Sequence, residues 1–222
     1  MENSRNRQTI RKNRGRSRRG LCMMAAGFLL IAAALSLTVY NLWDDRRADI
    51  ESEKVVGQLP GPSPAAPPQL EDPGEQEIPD YILNPKMEMP VMEIDGNDYI
   101  GTLSIPSLEL SLPVMSEWSY PKLRIAPCRY TGSAYQGNFV IAAHNYRTHF
   151  GLLGDLNAGD QVEFTDTDGN TFFYEVGEVQ VLEPTAIEEM VESDWDLSLF
   201  TCTLGGRTRL TVRCKKIEDP IL

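Results

Sequence analysis

The sequence is poor in the residues that bind transition metals. Its 222 residues contain only two histidines and four cysteines, and no two cysteines are spaced as Cys-x-x-Cys. Structural zinc sites and thioredoxin-like centres depend on such ligands and spacings. Acidic residues are abundant, so calcium binding is conceivable, but none of them follows EF-hand spacing. We therefore expect no metal site and no cofactor.

Positive charge is scarce beyond the first twenty residues. Residues 1–20 carry eight Lys/Arg and one Glu, a balance of +7, whereas the whole chain carries −11, so the other 202 residues carry −18. An acidic protein of this kind repels the phosphate backbone, and we expect no nucleic-acid partner. The basic segment is better explained as a signal for membrane topology.

A single long apolar run follows the basic segment. Residues 21–40 read LCMMAAGFLLIAAALSLTVY, without one charge, and twenty helical residues span about 30 Å, the hydrocarbon thickness of a bilayer. A cleavable signal peptide, cut near Ala32–Ala34, is the alternative, but the run exceeds the roughly 7 to 15 residues of a signal core. We predict an uncleaved single-pass anchor over residues 21–42, with residues 1–20 in the cytoplasm and the rest outside the cell membrane.

The composition changes again after the anchor. Nine of the fifteen prolines lie in residues 44–97, together with thirteen acidic and four basic residues. Such a segment lacks helical or strand periodicity and is typical of disordered linkers. We predict a disordered Pro/acid-rich linker over residues 43–97. The sequence leaves open whether residues near 72–85, which include Asp72-Pro73-Gly74, form a lid over part of the folded domain.

Residues 98–217 are predicted to form the folded domain, and residues 218–222 a tail. The segment YIGTLSIPSLELSLPV predicts two strands broken at Pro106, GNFVIAAHN a buried central strand, and QVEFTDTDGNTFFYEVGEVQVL a hairpin turning at Asp168-Gly169. A short helix or an irregular loop is expected in PTAIEEMVESDWD. Seven or eight short strands in this span favour a closed or nearly closed β-barrel.

The last predicted hairpin carries a cysteine opposite an arginine. Taking Gly205-Gly206 as a two-residue primed turn places Leu204 opposite Arg207, Thr203 opposite Thr208 and Cys202 opposite Arg209. Opposed residues have Cβ atoms about 4.5 to 5.5 Å apart, near enough for a guanidinium to favour a thiolate or to hold an oxyanion. The plain alternative is a buried cysteine and a solvated arginine.

Cysteine pairing is left partly open by the sequence. Cys22 lies in the predicted anchor, which leaves Cys128, Cys202 and Cys214 outside the membrane. Three is odd, so at least one thiol is unpaired within the chain. This agrees with a reactive Cys202, with or without a bridge between Cys128 and Cys214.

One histidine lies where it could complete a reaction centre. His144 ends the apolar strand FVIAAH, and His149 follows in the loop NYRTHFG. A single histidine is more often structural than catalytic. A histidine, a cysteine and an opposed arginine, each at a strand end, are nonetheless the proton donor, nucleophile and oxyanion stabiliser of a cysteine acyl-transfer site.

The chain resembles the sortase family. Residues 198–202, SLFTC, are similar to the TLxTC signature of sortases with Ser in place of the first Thr, and Arg209 followed by Leu-Thr-Val is similar to their arginine-led final strand. The resemblance continues through IGTLSIPSLELSLPV, GNFVIAAHNYRTHFGLL and LNAGDQVEF, and covers about residues 99–216. The predicted anchor and linker match the family's usual layout.

The resemblance implies a mainly β fold, an eight-stranded sortase-type β-barrel with short helices. It also implies a membrane-anchored cysteine transpeptidase of a Gram-positive-type envelope, without a cofactor. Cys202 would attack an LPxTG-type sorting signal, His144 would transfer protons, Arg209 would hold the oxyanion, and Thr201 would contact the substrate. The implied partners are secreted surface proteins carrying such signals, with a cell-wall precursor or pilin amine as acceptor. Two alternatives stay open: a cysteine peptidase that hydrolyses the same signal, and a non-catalytic membrane-tethered β-domain.

Overall fold

The computed structural model describes residues 2–61, 78–203 and 205–217. The chain divides into two compact units, residues 1–44 and residues 45–222. Residues 62–77, which hold most of the prolines of the predicted linker and the start of the interval 72–85 where the sequence leaves a lid open, lie outside the described residues, as does the tail 218–222. The described residues include all of the predicted folded domain except Leu204.

Within the described residues, the helices are one long N-terminal helix and three short ones. Their bounds are α1 (Glu2–Val56), α2 (Asp80–Leu83), α3 (Tyr120–Leu123) and α4 (Ile187–Val191), and two 3₁₀ turns cover Pro106–Leu108 and Leu153–Asp155. One helical stretch, Gly20–Val56, is long and apolar enough to cross a membrane. Its leucine, methionine and phenylalanine side chains between residues 21 and 42 are exposed, as expected of a segment whose solvent is lipid.

The described residues of the second unit also contain nine strands. They are β1 (Met92–Ile94), β2 (Asn97–Ile105), β3 (Leu110–Met115), β4 (Cys128–Thr131), β5 (Phe139–Ala142), β6 (Gln161–Asp166), β7 (Thr171–Leu182), β8 (Leu197–Cys202) and β9 (Arg209–Ile217). The predicted breaks are confirmed: Pro106 separates β2 from β3, and Asp168-Gly169 lies in the turn between β6 and β7.

Eight of these strands close into a barrel. The hydrogen-bonded order is β2-β3-β4-β5-β8-β9-β7-β6, and a further antiparallel pairing of β2 with β6 completes the ring. At this closure Gly101 lies so near β6 that an added Cβ would be 2.0 Å from the carbonyl oxygen of Thr165. The close approach therefore requires glycine. The eight-stranded barrel predicted from the sequence is confirmed, and β1 is an additional short strand paired with the start of β2.

The barrel interior is filled by apolar side chains from alternating strand positions. β5 is buried at every residue, as its unbroken apolar run predicts for a strand covered on both faces. Large side chains with essentially no exposure include those of Phe139, Phe150, Phe164 and Ile141. The ring of Phe139 packs edge-on against that of Phe164, with centroids 5.0 Å apart. This rigid interior fixes the strand ends that carry the functional side chains.

The predicted linker is wrong over part of its length. Residues 45–56 are helical, and the side chains of Ala48, Ser52, Val55 and Leu59 are buried in the second unit. These positions recur every three or four residues, the period of an amphipathic helix. Val55 and Leu59 pack with Ile94 and Tyr99, among others. The linker is predicted from its proline and charge content, and such a composition does not reveal a few buried positions at helical spacing.

The folded region also begins earlier than residue 98. α2 and β1 both lie within the interval assigned to the linker, and the ring of Tyr81 in α2 stacks on Tyr135 with centroids 4.9 Å apart. Stacked aromatic rings of this kind are worth about 0.5 to 1.5 kcal/mol beyond the area that they bury. The segment that precedes the barrel therefore belongs to its packed structure.

The turn between β8 and β9 also differs in detail from the prediction. The amide of Gly206 donates to the carbonyl of Thr203 at 2.8 Å, so the turn is centred one residue earlier than a Gly205-Gly206 primed turn. Both glycines have positive φ, 82° and 70°, a backbone region that other residues rarely adopt. The pairing of Thr203 with Thr208 is as predicted, whereas Leu204 lies outside the described residues.

Candidate active site

Three neighbouring strands end side by side at the candidate site. β8 pairs in parallel with β5, with Ala142 opposite Phe200, and antiparallel with β9, with Cys202 opposite Arg209. His144 and Cys202 each follow the last β5–β8 pair by two residues. Because side chains alternate between the faces of a sheet, both project on the same side as Ala142 and Phe200.

The three predicted catalytic residues line one cavity of about 200 Å³. Its charged or nucleophilic side chains are those of Cys202, His144 and Arg209, together with Glu183. The other lining side chains are mostly apolar and come from three places: the strands β4, β5 and β8, the segment around α3, and the β7–β8 connection with α4. The residues concerned are Trp118, Tyr120, Leu123, Tyr130, Ala142, Ala143, Pro184, Ala186, Ile187, Met190 and Phe200. Few convergent polar groups in an apolar pocket are typical of a ligand site.

Cys202 differs from the other cysteines of the second unit. All four cysteines of the chain are free thiols, so the bridge between Cys128 and Cys214 that the sequence left open is not formed. Cys128 and Cys214 are buried in separate apolar clusters, and burial raises the pKa of each to about 12. Cys202 is partly exposed at the cavity. It is therefore the thiol of this unit that a reagent or substrate can reach.

The guanidinium of Arg209 is fixed through one nitrogen. Its Nη1 donates to the carbonyls of Gly206 at 3.2 Å and Thr208 at 3.1 Å. No other described residue accepts a hydrogen bond from this guanidinium, and no described carboxylate pairs with it. A guanidinium has five N–H donors in a rigid fork, so the edge formed by Nε and Nη2 has donors to offer to a ligand.

The two histidines have different surroundings. His144 is partly exposed, lines the cavity, and has its ring centroid 5.0 Å from that of Tyr146. His149 is fully buried and does not line the cavity, and its ring centroid lies 5.4 Å from that of Tyr146. The structure thus brings only His144 to Cys202 and Arg209.

Thr201 lies elsewhere than the predicted substrate contact. Its side chain is 3% exposed, and its hydroxyl donates to the carbonyl of Ala143 at 2.9 Å. Because successive residues of a strand face opposite sides of the sheet, Thr201 points away from the cavity that Cys202 lines. The hydroxyl instead ties the end of β8 to the residue before His144, which fixes the spacing between these two strand ends.

A buried arginine holds the wall formed by α4. Arg213 is 1% exposed, and its guanidinium donates to the carbonyls of Glu189 and Met190 and to the hydroxyl of Ser198 at 2.8 Å. Desolvation lowers its pKa, an effect that the charges of Glu178 and Glu189 oppose. Met190 lines the cavity, so this arginine positions one of its walls.

Several residues of the site had no separate signal in the sequence. Tyr130 packs edge-on against Phe200, with centroids 5.3 Å apart, and Trp118 packs against Tyr130 at 5.5 Å. Trp118 and Tyr120 are exposed to 42% and 75%, large values for aromatic side chains at the rim of a cavity. The sequence alone does not show that these aromatic side chains are exposed, and this exposure is the one property that would have indicated a role at the cavity.

No group of three or more His, Cys, Asp or Glu side chains within residues 2–61, 78–203 and 205–217 is placed to hold a metal ion.

Comparison with known proteins gives consistent results. The family model described as the sortase domain matches residues 103–217. Sortase A of Bacillus anthracis is 30% identical over 115 residues, which are 49% of this chain and 54% of that protein. The chain therefore matches about half the length of this curated relative.

Solved structures share the fold. Sortase C1 from Streptococcus agalactiae is similar with a TM-score of 0.51 and 22% identity, over 57% of this chain and 72% of that one. Sortase C from Clostridium perfringens SM101 is similar with a TM-score of 0.50 and 25% identity, over 65% of this chain and 78% of that one.

Proposed function

This chain belongs to the sortase family, and from that premise we propose that it is a membrane-anchored cysteine transpeptidase acting on C-terminal sorting signals of LPxTG type. The observation that carries the proposal is the convergence of Cys202, His144 and Arg209 on one cavity at the ends of three adjacent strands. A buried cysteine and a solvated arginine, the plain alternative, would not share a cavity. The apolar walls beside them suit the leucine and proline of such a signal.

In the first half of the proposed reaction, the thiolate of Cys202 attacks the carbonyl carbon of the Thr–Gly bond. A carbon–sulfur bond forms, the carbonyl oxygen becomes an oxyanion, and the Nε–Nη2 edge of Arg209 stabilises it. The carbon–nitrogen bond then breaks as His144 gives its proton to the departing amine. The product is a thioester on Cys202.

In the second half, the amine of an acceptor attacks the thioester carbonyl while His144 takes its proton. The carbon–sulfur bond breaks, an amide forms and the thiolate is restored. The scheme uses no cofactor.

We further propose that the N-terminal helix is a single-pass anchor, with the basic residues 1–20 in the cytoplasm and the catalytic unit outside the cell membrane. Its substrates would be secreted surface proteins, and its acceptor an amine of a cell-wall precursor or a pilin. The long apolar helix and the −18 charge of the remaining chain support this arrangement.

The test uses the full chain in detergent with a peptide containing Leu-Pro-Glu-Thr-Gly, with and without triglycine as acceptor. Mass spectrometry is expected to show a ligated product only when triglycine is present, and Cys202→Ala is expected to abolish both this product and the thioester. Hydrolysis alone, unchanged by triglycine, would support the peptidase alternative. No turnover, with Cys202 no more reactive towards iodoacetamide than Cys128, would support the non-catalytic one.

A further inference from the structure

A second, larger cavity adjoins the candidate active site. It measures about 530 Å³ and shares the side chains of Trp118 and Tyr130 with the active-site cavity. None of the three predicted catalytic residues lines it. Whatever it holds is therefore separated from the reacting atoms by Trp118 and Tyr130, which also border the active-site cavity.

The floor of this second cavity is a strand edge without a full partner. β4 pairs along its length with β5 on one side. On the other side β3 ends at Met115 and pairs with β4 only through Cys128. No other described strand pairs with residues 129–131 on that side, and these residues line the cavity. An open strand edge presents main-chain N–H and C=O groups to an added strand.

The cavity is preformed and polar. The Nε of Arg129 donates to the carbonyl of Ser116 at 2.7 Å and spans the gap between the two strands. Gly132 turns the chain beside it with φ of 75°, where an added Cβ would be 2.0 Å from the carbonyl oxygen of Asn138. Ser133, which also lines the cavity, is 5% exposed and accepts a hydrogen bond from the amide of Tyr135. The loop is thus held in place without a ligand.

We propose that this cavity binds the segment of the donor polypeptide that precedes the sorting signal, as an extended strand added to the edge of β4. The inference rests on the proposed function, because the proposed thioester determines which part of the donor polypeptide stays bound to the protein. The part of the donor retained on Cys202 is the part N-terminal to the cleaved bond. It crosses the apolar cavity to Trp118 and Tyr130, and the next residues upstream enter the second cavity.

Each exposed carboxylate at the rim lies beside a cation. Glu88 is 3.6 Å from Arg129 and Glu117 is 3.9 Å from Lys122, and the two carboxylate side chains are 91% and 78% exposed. Because these charges are paired, we expect the upstream segment to be held through its main chain rather than by a preferred charge.

The first test compares peptides of two lengths on the full chain in detergent. One contains the Leu-Pro-Glu-Thr-Gly motif alone, and the other adds five upstream residues, about 17 Å of extended chain. Two or three main-chain hydrogen bonds predict a KM about tenfold lower for the long peptide with kcat little changed. Two further long peptides are N-methylated, one at the odd and one at the even upstream positions. Because successive amides of a strand point to opposite sides, only one of these two peptides should lose the gain in KM.

The second test blocks the cavity. Gln136 is exposed and lines it, so Gln136→Trp is expected to remove the gain of the long peptide and to leave the kinetics of the short one unchanged. Asn138→Trp is the matched control, because Asn138 is exposed in the same loop and does not line the cavity. Equal KM values for both peptides, or a gain that survives both Gln136→Trp and N-methylation, would overturn the inference.

The failure of this inference is distinct from that of the proposed function. Turnover of the short peptide with no length effect rejects the upstream subsite alone, whereas absence of turnover of either peptide rejects the transpeptidase. In the latter case, anisotropy titration of both peptides into Cys202→Ala still measures the length effect, and equal affinities would overturn the subsite as well.

Discussion

Cys202 and Arg209 are directly opposed at the last pair of the β8–β9 ladder, and the turn that follows also fixes the guanidinium. The carbonyl of Gly206 that accepts from Arg209 lies in a turn closed by the hydrogen bond between Gly206 and Thr203. The distance between sulfur and guanidinium is thus set by backbone geometry. A precise spacing of this kind is what an oxyanion stabiliser requires.

We expect Arg209→Lys to lower kcat/KM by about 100-fold or more, the usual cost of losing an oxyanion donor. An ammonium keeps the charge, but it cannot hold the two turn carbonyls and present a planar edge to the oxyanion at the same time. Steady-state ligation kinetics measure the effect, and circular dichroism verifies that the fold is kept. Arg207→Lys is the control at the turn. A Lys variant with full activity would show that charge alone is needed.

The sequence predicted the strand ends well because they depend on local patterns. The alternation on either side of the glycine pair sets the register of β8 and β9, and the pairing of Cys202 with Arg209 is the one predicted. The turn is centred one residue earlier than predicted, yet the register is the same, because the number of residues between Thr203 and Thr208 does not change. A prediction of register tolerates an error in turn type.

The rest of the site could not be predicted because it depends on contacts distant in the sequence. Nothing in the sequence near Tyr130 or Trp118 indicates that Tyr130 lies against Phe200 and Trp118 against Tyr130, since only barrel closure brings these residues together. The docked stripe of residues 48–59 was missed for another reason. Charged residues dominate the composition of that segment. Its few apolar positions are recognised only when the sequence is examined for a repeat of three to four residues.

His144→Ala is expected to lower kcat/KM by about 100- to 10,000-fold, the usual contribution of a general acid–base, with little change in the unfolding midpoint. His149→Ala is expected to show the opposite pattern. His149 is fully buried, so its loss leaves a void and lowers stability, in contrast to the tolerance that its loop position alone would suggest. Ligation kinetics and urea unfolding of both variants test the contrast. Equal losses of turnover at equal stability would contradict the assignment of His144.

Stability should fall with alkaline pH because of the buried thiols. Burial raises the pKa of Cys128 from 9.0 to about 12, so the folded state keeps its proton after the unfolded state has lost it. The resulting stabilisation is complete below pH 9 and is lost as pH rises towards 12. Between pH 8 and pH 10 this thiol should cost about 1.4 kcal/mol of unfolding free energy. Urea unfolding measures the unfolding free energy at both pH values. Between them, Cys128→Ala should lose about 1.4 kcal/mol less of this free energy than the unaltered chain, and identical losses would refute the prediction.

Arg213→Met is expected to raise KM more than it lowers kcat. The methionine fills much of the volume but cannot hydrogen-bond the carbonyls of Glu189 and Met190, so α4 loses its anchor and the cavity wall loosens. Unpaired buried carbonyls should also cost about 1 to 3 kcal/mol of stability. Kinetics with the short peptide separate KM from kcat. Lys215→Met, at a more exposed position on the same strand, is the control, and an unchanged KM in Arg213→Met would show that the wall is held by other contacts.

Leu59→Ala is expected to destabilise the second unit by about 2 to 4 kcal/mol, because a leucine 6% exposed leaves a cavity among Val55, Ile94 and Tyr99. Ile50→Ala is the matched control on the preceding helix. Ile50 is 62% exposed, so its truncation should change stability by less than about 0.5 kcal/mol. Urea unfolding of the full chain in detergent, followed by tryptophan fluorescence, measures both. If the two substitutions cost the same, residues 45–59 are not part of the folded unit and the linker predicted from composition would extend over them.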